Sequence, residues 1–396
     1  MNIAVIGFGN AGSKIADRLI AYEADTQRSL CRFALAINSA TIDLEKLTEI
    51  PPENRLLIGQ TDERVKGHGA GADPEIGAEI ARQDVHELER ALDGVPIHAV
   101  DAFLVIAGLG GGTGSGGAPV LASRLREMYE EPVYGLAIFP SEDEGGRASL
   151  NAARSVQSFT ESTDNLIAFD NDAWRSSGNS LQGGYERTNE EIAKRIATLL
   201  AAGEYDGSTV SETAMDSSDV RRTLSTGGIS TIAYAQSELN PHTREQKGLL
   251  SRFSGNGRTA TNGSGGPDPA KKVHGLVRKA VQSRLTCPAN ILSAERSLIV
   301  VSGPPSEFSQ KGLRRARQWV ERETSSAEVL AGDDPRKNAD QLSAAVVLSN
   351  VTEVPRIDRL QEQAVSAQDN IAEQEQSRED EIRELITDDE DRLDPI

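Results

Sequence analysis

Short, largely apolar runs alternate with helix-like stretches through the first half of the chain. Residues 2–6, 33–37, 55–58, 102–107, 133–139 and 166–169 are the strand candidates, and continuous apolar character there predicts burial on both faces. Helices over 11–22, 76–92, 119–128 and 148–160 fill the gaps. This order predicts an α/β domain: a parallel sheet covered by helices, with ligands at the carboxyl ends of the strands. A long helix follows over 185–202, with Ile192, Ile196, Leu199 and Leu200 at core spacing. Beyond it come a short helix over 217–224, a strand over 229–235, a helix over 270–283, a strand over 298–302, a helix over 308–322 and a strand over 343–348. Leu313, Ala316 and Val320 share one face of the 308–322 helix. The second unit is therefore smaller and α+β, with three or four strands. The plan is a domain over 1–184, a central helix over 185–204, an α+β domain over 205–355 and a tail over 356–396.

Two segments break the pattern. Residues 254–269 are rich in glycine with two prolines, and read as a flexible surface insertion. From Arg356 onward the chain is polar and ends near Asp388-Asp389-Glu390-Asp391. Its few apolar residues, Leu360, Ile371, Ile382 and Leu385, predict little burial. It reads as a disordered or frayed acidic helix, or an interaction tail.

Composition narrows the class. The net charge of -19 argues against nucleic acid as the main partner, because phosphate binding wants a basic surface. Acidic, Lys-poor composition with 4% aromatics suits hydration in concentrated salt and points to a halophilic source; an ordinary acidic cytosolic protein is the alternative. Two cysteines, Cys31 and Cys287, cannot build a disulfide framework, so a reducing cytoplasm fits. The first residues read as a strand rather than a signal peptide, and no apolar run is long enough to span a bilayer.

Three glycine-rich loops carry the candidate chemistry. Gly7-Phe8-Gly9-Asn10-Ala11-Gly12 follows the first strand and, alone, reads as a dinucleotide fingerprint. That reading wants an acidic residue at the end of the second strand, where Asn38-Ser39-Ala40 stands instead. No Walker lysine fits either, since Ser13 follows Gly12 and Lys14 comes one residue late. Gly67-His68-Gly69-Ala70-Gly71 is the second loop, and Asp73 and Glu75 after it read as helix caps or as water-mediated magnesium contacts. The third runs from Gly108 through Gly110-Gly111-Gly112-Thr113-Gly114-Ser115-Gly116-Gly117. Backbone amides in such loops, with the positive ends of the following helices, bind phosphate. Three loops at neighbouring strand ends suit a triphosphate, whose phosphates need donors from several directions.

Residues 110–116 resemble the GGGTG[ST]G signature of the tubulin/FtsZ family. Residues 67–77 resemble its γ-phosphate loop, with Asp73 in place of an Asn. Order and spacing agree over about residues 1–235, and with the acidic composition the likeness is greatest to the CetZ group of haloarchaea. The resemblance implies a tubulin/FtsZ-like GTPase domain over 1–184, with GTP and Mg2+ as cofactors and no dedicated set of protein metal ligands. It assigns phosphate binding to Gly9, Asn10, Ala11, Gly12, Ser13 and Lys14, to Gly69, Ala70 and Gly71, and to Gly110, Gly111, Gly112, Thr113 and Gly114. Glu144, in a segment resembling the family's EGxxR loop, takes the ribose; Arg147 falls one residue out of register and reads as a surface residue. Asn171 takes a guanine-contacting role. Tyr185 and Asn189, four apart on one helix face, stack on the base and read its edge.

Met215-Asp216-Ser217-Ser218-Asp219-Val220 resembles the NxDxxDV loop of FtsZ, with Ala214 where FtsZ has Asn. The resemblance makes Asp216 and Asp219 catalytic, acting on the nucleotide of the next subunit in a head-to-tail filament. The bland alternative is a pair of carboxylates at a helix start, stabilised by the dipole. The implied function is a polymerisation-activated GTPase of the cytoskeleton, acting in cell shape. An FtsZ-type division protein and a hydrolysis-poor paralogue that modulates other filaments are the alternatives.

Overall fold

A computed structural model describes residues 1–174, 181–200, 215–239 and 268–387. The central strands form as their apolar runs predict. β1 (Ile3–Phe8), β2 (Cys31–Asn38), β3 (Arg55–Leu57), β4 (Ala102–Gly108), β5 (Val133–Phe139) and β6 (Asn165–Asp170) lie in the order 3-2-1-4-5-6, all parallel. Alternate residues of β1 enter opposite cores. Ala4, Ile6 and Phe8 pack in one, under α3 (Pro74–Gln83), α4 (Val85–Leu92), α5 (Thr113–Met128) and α6 (Gly146–Ser162). Ile3 and Val5 pack in the other, under α1 (Gly9–Asp25) and α8 (Leu181–Leu200). Two short helices, α2 (Thr41–Glu45) and α7 (Asn171–Trp174), follow β2 and β6. β2 and β4 flank β1 on opposite sides, so the strand order reverses there and opens a crevice at the carboxyl ends.

The second unit shares this sheet. β7 (Ile229–Glu238) pairs parallel with β6, and the order continues through β10 (Gln341–Val351), β8 (Ala294–Gly303) and β9 (Glu328–Pro335). α9 (Ser217–Leu224) precedes β7, while α10 (Pro269–Val281) and α11 (Gln310–Thr324) cover the strands. β9 escaped the sequence pattern because it carries Asp333 and Asp334. Both are buried, and Asp334 is held by Arg28 at 3.3 Å and by the Ser302 hydroxyl at 2.6 Å.

Several boundaries differ from expectation, and the helix expected over 76–92 is two, α3 and α4. α5 begins at Thr113, six residues before the expected start, and α8 begins at Leu181. The largest difference is at α12 (Pro355–Thr387), where the sequence reads as a disordered or frayed acidic helix, or an interaction tail, with little burial. Its first turns are buried: Arg356 and Leu360 are fully enclosed, and Ala364 and Ala367 nearly so, against α6. Leu360 therefore contributes to the main core, contrary to the low burial its sparse neighbours suggest. The stretch 254–267, Ala214 and the acidic run 388–391 lie outside the described residues. Among the described residues, no helix is long and apolar enough to cross a membrane, and no group of His, Cys, Asp and Glu forms a metal cluster.

Candidate nucleotide site

The three glycine loops meet at the carboxyl ends of β1, β3 and β4, and backbone packs on backbone where they touch. A Cβ on Gly12 would stand 2.0 Å from the Ile106 carbonyl oxygen, and one on Gly116 would stand 2.0 Å from that of Pro74. Both glycines are thus required by the close approach of helix to strand or helix to helix. This explains the early start of α5: Thr113 to Gly117 form its first turn, wedged against α3. Part of the glycine signature is therefore packing rather than cradle. Gly111 and Gly71 differ, with open space where a Cβ would be.

Side chains fasten the loops together. Asn151 of α6, nearly buried, donates to the carbonyls of Ala72 (2.9 Å) and Gly110 (3.0 Å), tying the second loop to the third. The hydroxyls of Ser39 and Thr113 are 2.6 Å apart. The Gly69 N–H donates to the Ser39 carbonyl at 3.1 Å. Beside them Asn38 accepts from the Ser39 N–H at 2.8 Å, while its buried Nδ2 has no partner among the described residues. A buried, unpaired donor is costly unless something accepts from it. Gly9, Gly12 and Ser13 are buried, whereas Asn10, Ala11 and Lys14 are exposed at the first turn of α1. Asp73 caps α3, accepting from the Glu75 and Ile76 N–H groups, and Glu75 pairs with Arg154 at 3.6 Å. Both carboxylates have structural partners, which favours the capping reading.

Two of the residues assigned to base and ribose meet. The Tyr185 hydroxyl donates to Glu144 Oε1 at 3.1 Å, although the two are 41 positions apart. The same Glu144 oxygen accepts from the Ser141 N–H at 2.9 Å. Tyr185 is 38% exposed, unusual for a large ring. Asn171 opens α7, and Asn189 lies half-buried one turn beyond Tyr185. Arg147 is exposed, as expected of a surface residue. Below them Arg356 ties the two loops. Its Nε donates to Asp170 at 2.9 Å and its Nη2 to the Pro140 carbonyl at 2.6 Å. Burial raises the Asp170 pKa while Arg356 opposes the rise. Asn151, Asp170 and Arg356 went unnoticed in the sequence, since each acts through partners distant along the chain.

Asp216 and Asp219 stand apart from all of this. They form a capping box at the start of α9: Asp216 Oδ1 accepts from the Ser218 and Asp219 N–H groups, and Asp219 accepts from the Asp216 N–H. The Ser218 hydroxyl bonded to Asp216 lowers its pKa, so it is ionised at neutrality. Farther along α9, Arg221 donates to the Asp101 carbonyl at 2.5 Å. Asp101 immediately precedes β4, whereas the third glycine loop immediately follows it. Seven residues of strand, about 20 Å at ~3.3 Å each, separate the two ends.

Comparison with known proteins shows the family. Residues 2–179 match the model of the tubulin/FtsZ family GTPase domain, and 178–366 match that of the tubulin-like CetZ C-terminal domain. The chain is 50% identical to the tubulin-like protein CetZ1 of Haloferax volcanii over 374 residues, 94% of each chain. It is 47% identical to CetZ3 of the same organism over the full length of both. Among solved structures, the GDP-bound CetZ1 monomer superposes with a TM-score of 0.80 at 47% identity, covering 93% of this chain and 100% of that one. A GTPγS-bound CetZ2 protofilament from Haloferax volcanii gives 0.79 at 36%, covering 94% and 100%. With the glycine loops, the shared sheet and these matches in agreement, the chain belongs to the CetZ group of the tubulin/FtsZ family.

Proposed function

We propose that the protein binds GTP in the crevice over β1 and β4 and hydrolyses it within head-to-tail filaments that act in cell shape in the cytoplasm. One observation carries the division of labour: Asp216 and Asp219 sit a strand's length from the glycine loops of their own chain. A carboxylate there acts on a nucleotide only if another subunit presents one. Such a contact is heterologous and does not close, so it builds filaments. The protofilament of the CetZ2 relative, bound to a GTP analogue, supports this reading.

The assigned roles follow from the local chemistry. Gly71 and Gly111 leave room for phosphate, with Asn38 Nδ2 as a nearby donor. Mg2+ bound with the nucleotide supplies charge neutralisation on the phosphates. Tyr185 stacks on guanine, Asn171 and Asn189 read its edges, and Glu144 accepts from the ribose. Asp216 uses Oδ1 for the helix cap, and Oδ2 has no bond among the described residues. That second oxygen, with Asp219, orients the attacking water; phosphoryl transfer asks mainly for positioning and charge balance.

Turnover measured against protein concentration tests the reading. The rate per chain should show a threshold and rise cooperatively. Asp216→Ala should keep GTP binding, lose turnover and stabilise filaments. Normal hydrolysis by that variant, or a rate per chain independent of concentration, sinks the assignment.

A further inference from the structure

The chain carries 61 acidic and 42 basic residues, yet one surface reverses the balance. α10 has four Lys and Arg and no acid; α11 has five against two Glu. Elsewhere the arginines are mostly engaged: Arg18, Arg64, Arg124, Arg222, Arg296 and Arg356 all pair with carboxylates. On α10 and α11 only Lys272 does so, with Glu307 at 2.7 Å. Arg278, Lys311, Arg314, Arg315, Arg317 and Arg322 are exposed and have no carboxylate within 4.0 Å among the described residues. Three of them surround one side chain: after burial, the charges of Arg278, Arg315 and Arg322 lower the His274 pKa, and Arg278 lies 5.7 Å over the Trp319 ring. Repulsion among like charges opposes such clustering unless an anion covers it.

The same chain supplies a matching anion. From residue 369 to 387, α12 holds seven acidic residues and two basic ones. Among the described side chains its last nearly buried one is Ala367, and the helix runs about 30 Å beyond that residue at ~1.5 Å per residue. Asp369, Glu373 and Asp380 are exposed and fall at i, i+4 and i+11, one face of the helix. Lys311, Arg315 and Arg322 fall at the same three spacings on α11. Two helical faces of opposite charge and equal periodicity occur on one molecule, with no ion pair between them among the described residues.

We propose that the cationic α10–α11 face docks the acidic distal half of α12 from a second copy of this chain, joining filaments side by side. None of the residues assigned to the head-to-tail contact belongs to either surface. Exposed ion pairs are individually weak, so the contact gains strength from repetition along a filament. That gain rests on the filament reading above; the pairwise contact does not, and GDP-bound chains test it alone.

The test uses the full chain at one salt concentration throughout. Lys311→Glu/Arg315→Glu/Arg322→Glu reverses one face, and Asp369→Lys/Glu373→Lys/Asp380→Lys reverses the other. Analytical ultracentrifugation in GDP reads association of copies; electron microscopy in GTP reads bundling. Wild type should associate reversibly in GDP and bundle in GTP, and each variant alone should lose both while its unfolding temperature stays near wild type. An equimolar mixture of the two variants should regain association, because each then carries the partner the other lost. Wild type that neither associates nor bundles overturns the proposal, as does a variant that associates normally or a mixture that stays monomeric. Loss with the α11 variant only overturns it in favour of another anion, such as anionic lipid vesicles. Association in GDP that follows the charge swap, without filaments in GTP, upholds the docking and removes the filament reading instead.

Discussion

Arg356 and Asp170 form an ion pair at 2.9 Å with both side chains out of water, although 186 positions separate them. The pair fastens the first turn of α12 beneath the loops that carry Asn171 and Glu144. Gln363 extends the attachment two turns on, accepting from the Ser149 hydroxyl at 3.2 Å and donating to Glu142 at 3.3 Å.

Removing one member of such a pair leaves a buried charge uncompensated. Arg356→Ala should cost about 3–5 kcal/mol of stability, read by denaturant unfolding. Guanine nucleotide affinity should fall with it, because the loops at Pro140 and Asp170 lose their common anchor. Asp170→Asn combined with Arg356→Gln should recover part of the stability, since neither charge then remains.

Tyr185→Phe keeps the ring and loses only the hydroxyl donated to Glu144, so GTP affinity should change little. Tyr185→Ala removes the stacking surface. At about 1–3 kcal/mol per stacked base, affinity should fall by roughly 5- to 150-fold in titration calorimetry. Equal affinity in the Ala variant would show that the ring does not face the base.

Gly116→Ala places a methyl group where the Pro74 carbonyl already sits. Overpacking of this kind costs about 1–3 kcal/mol, and more where backbone must move. Thermal unfolding should register the loss with GDP and without it, which separates packing from phosphate contact.

One substitution separates the cap that Asp216 makes from the catalytic role proposed for it. Asp216→Asn retains a capping oxygen and removes the charge, so stability should stay close to wild type while turnover is lost. Asp216→Ala should also cost about 1 kcal/mol through the missing cap. Turnover in the Asn variant equal to wild type would leave the cap as the residue's only role.

His274 has its pKa lowered, first by burial and then by Arg278, Arg315 and Arg322. The unfolded chain therefore takes up a proton more readily than the folded one. Stability from this group is present above about pH 6.5 and is lost as pH falls through the lower folded value. His274→Gln should flatten that part of a stability-against-pH curve.

Short-range order was legible because its causes are local. Apolar runs form strands wherever they lie buried, and glycines at strand ends permit tight loops whatever surrounds them. The glycine-loop pattern, the Tyr185–Asn189 spacing and the Asp216–Asp219 pair could all be read this way. β9 was hidden because its aspartates are partnered from distant segments, Asp334 by Arg28 across 306 positions. The buried start of α12 was hidden because Arg356 looks solvated until Asp170 is set beside it.

The amino-acid sequence by itself determined the family, the parallel sheet and the residue types gathered for a nucleotide, since these rest on periodicity and on motifs within a few positions. The tertiary structure alone decided which glycines pack and which leave room, and that Asn151 and Arg356 hold the loops. It also decided that the aspartates stand at the far end of β4 from the phosphate loops. Those outcomes depend on distances between segments remote in sequence, and only the closed sheet sets them.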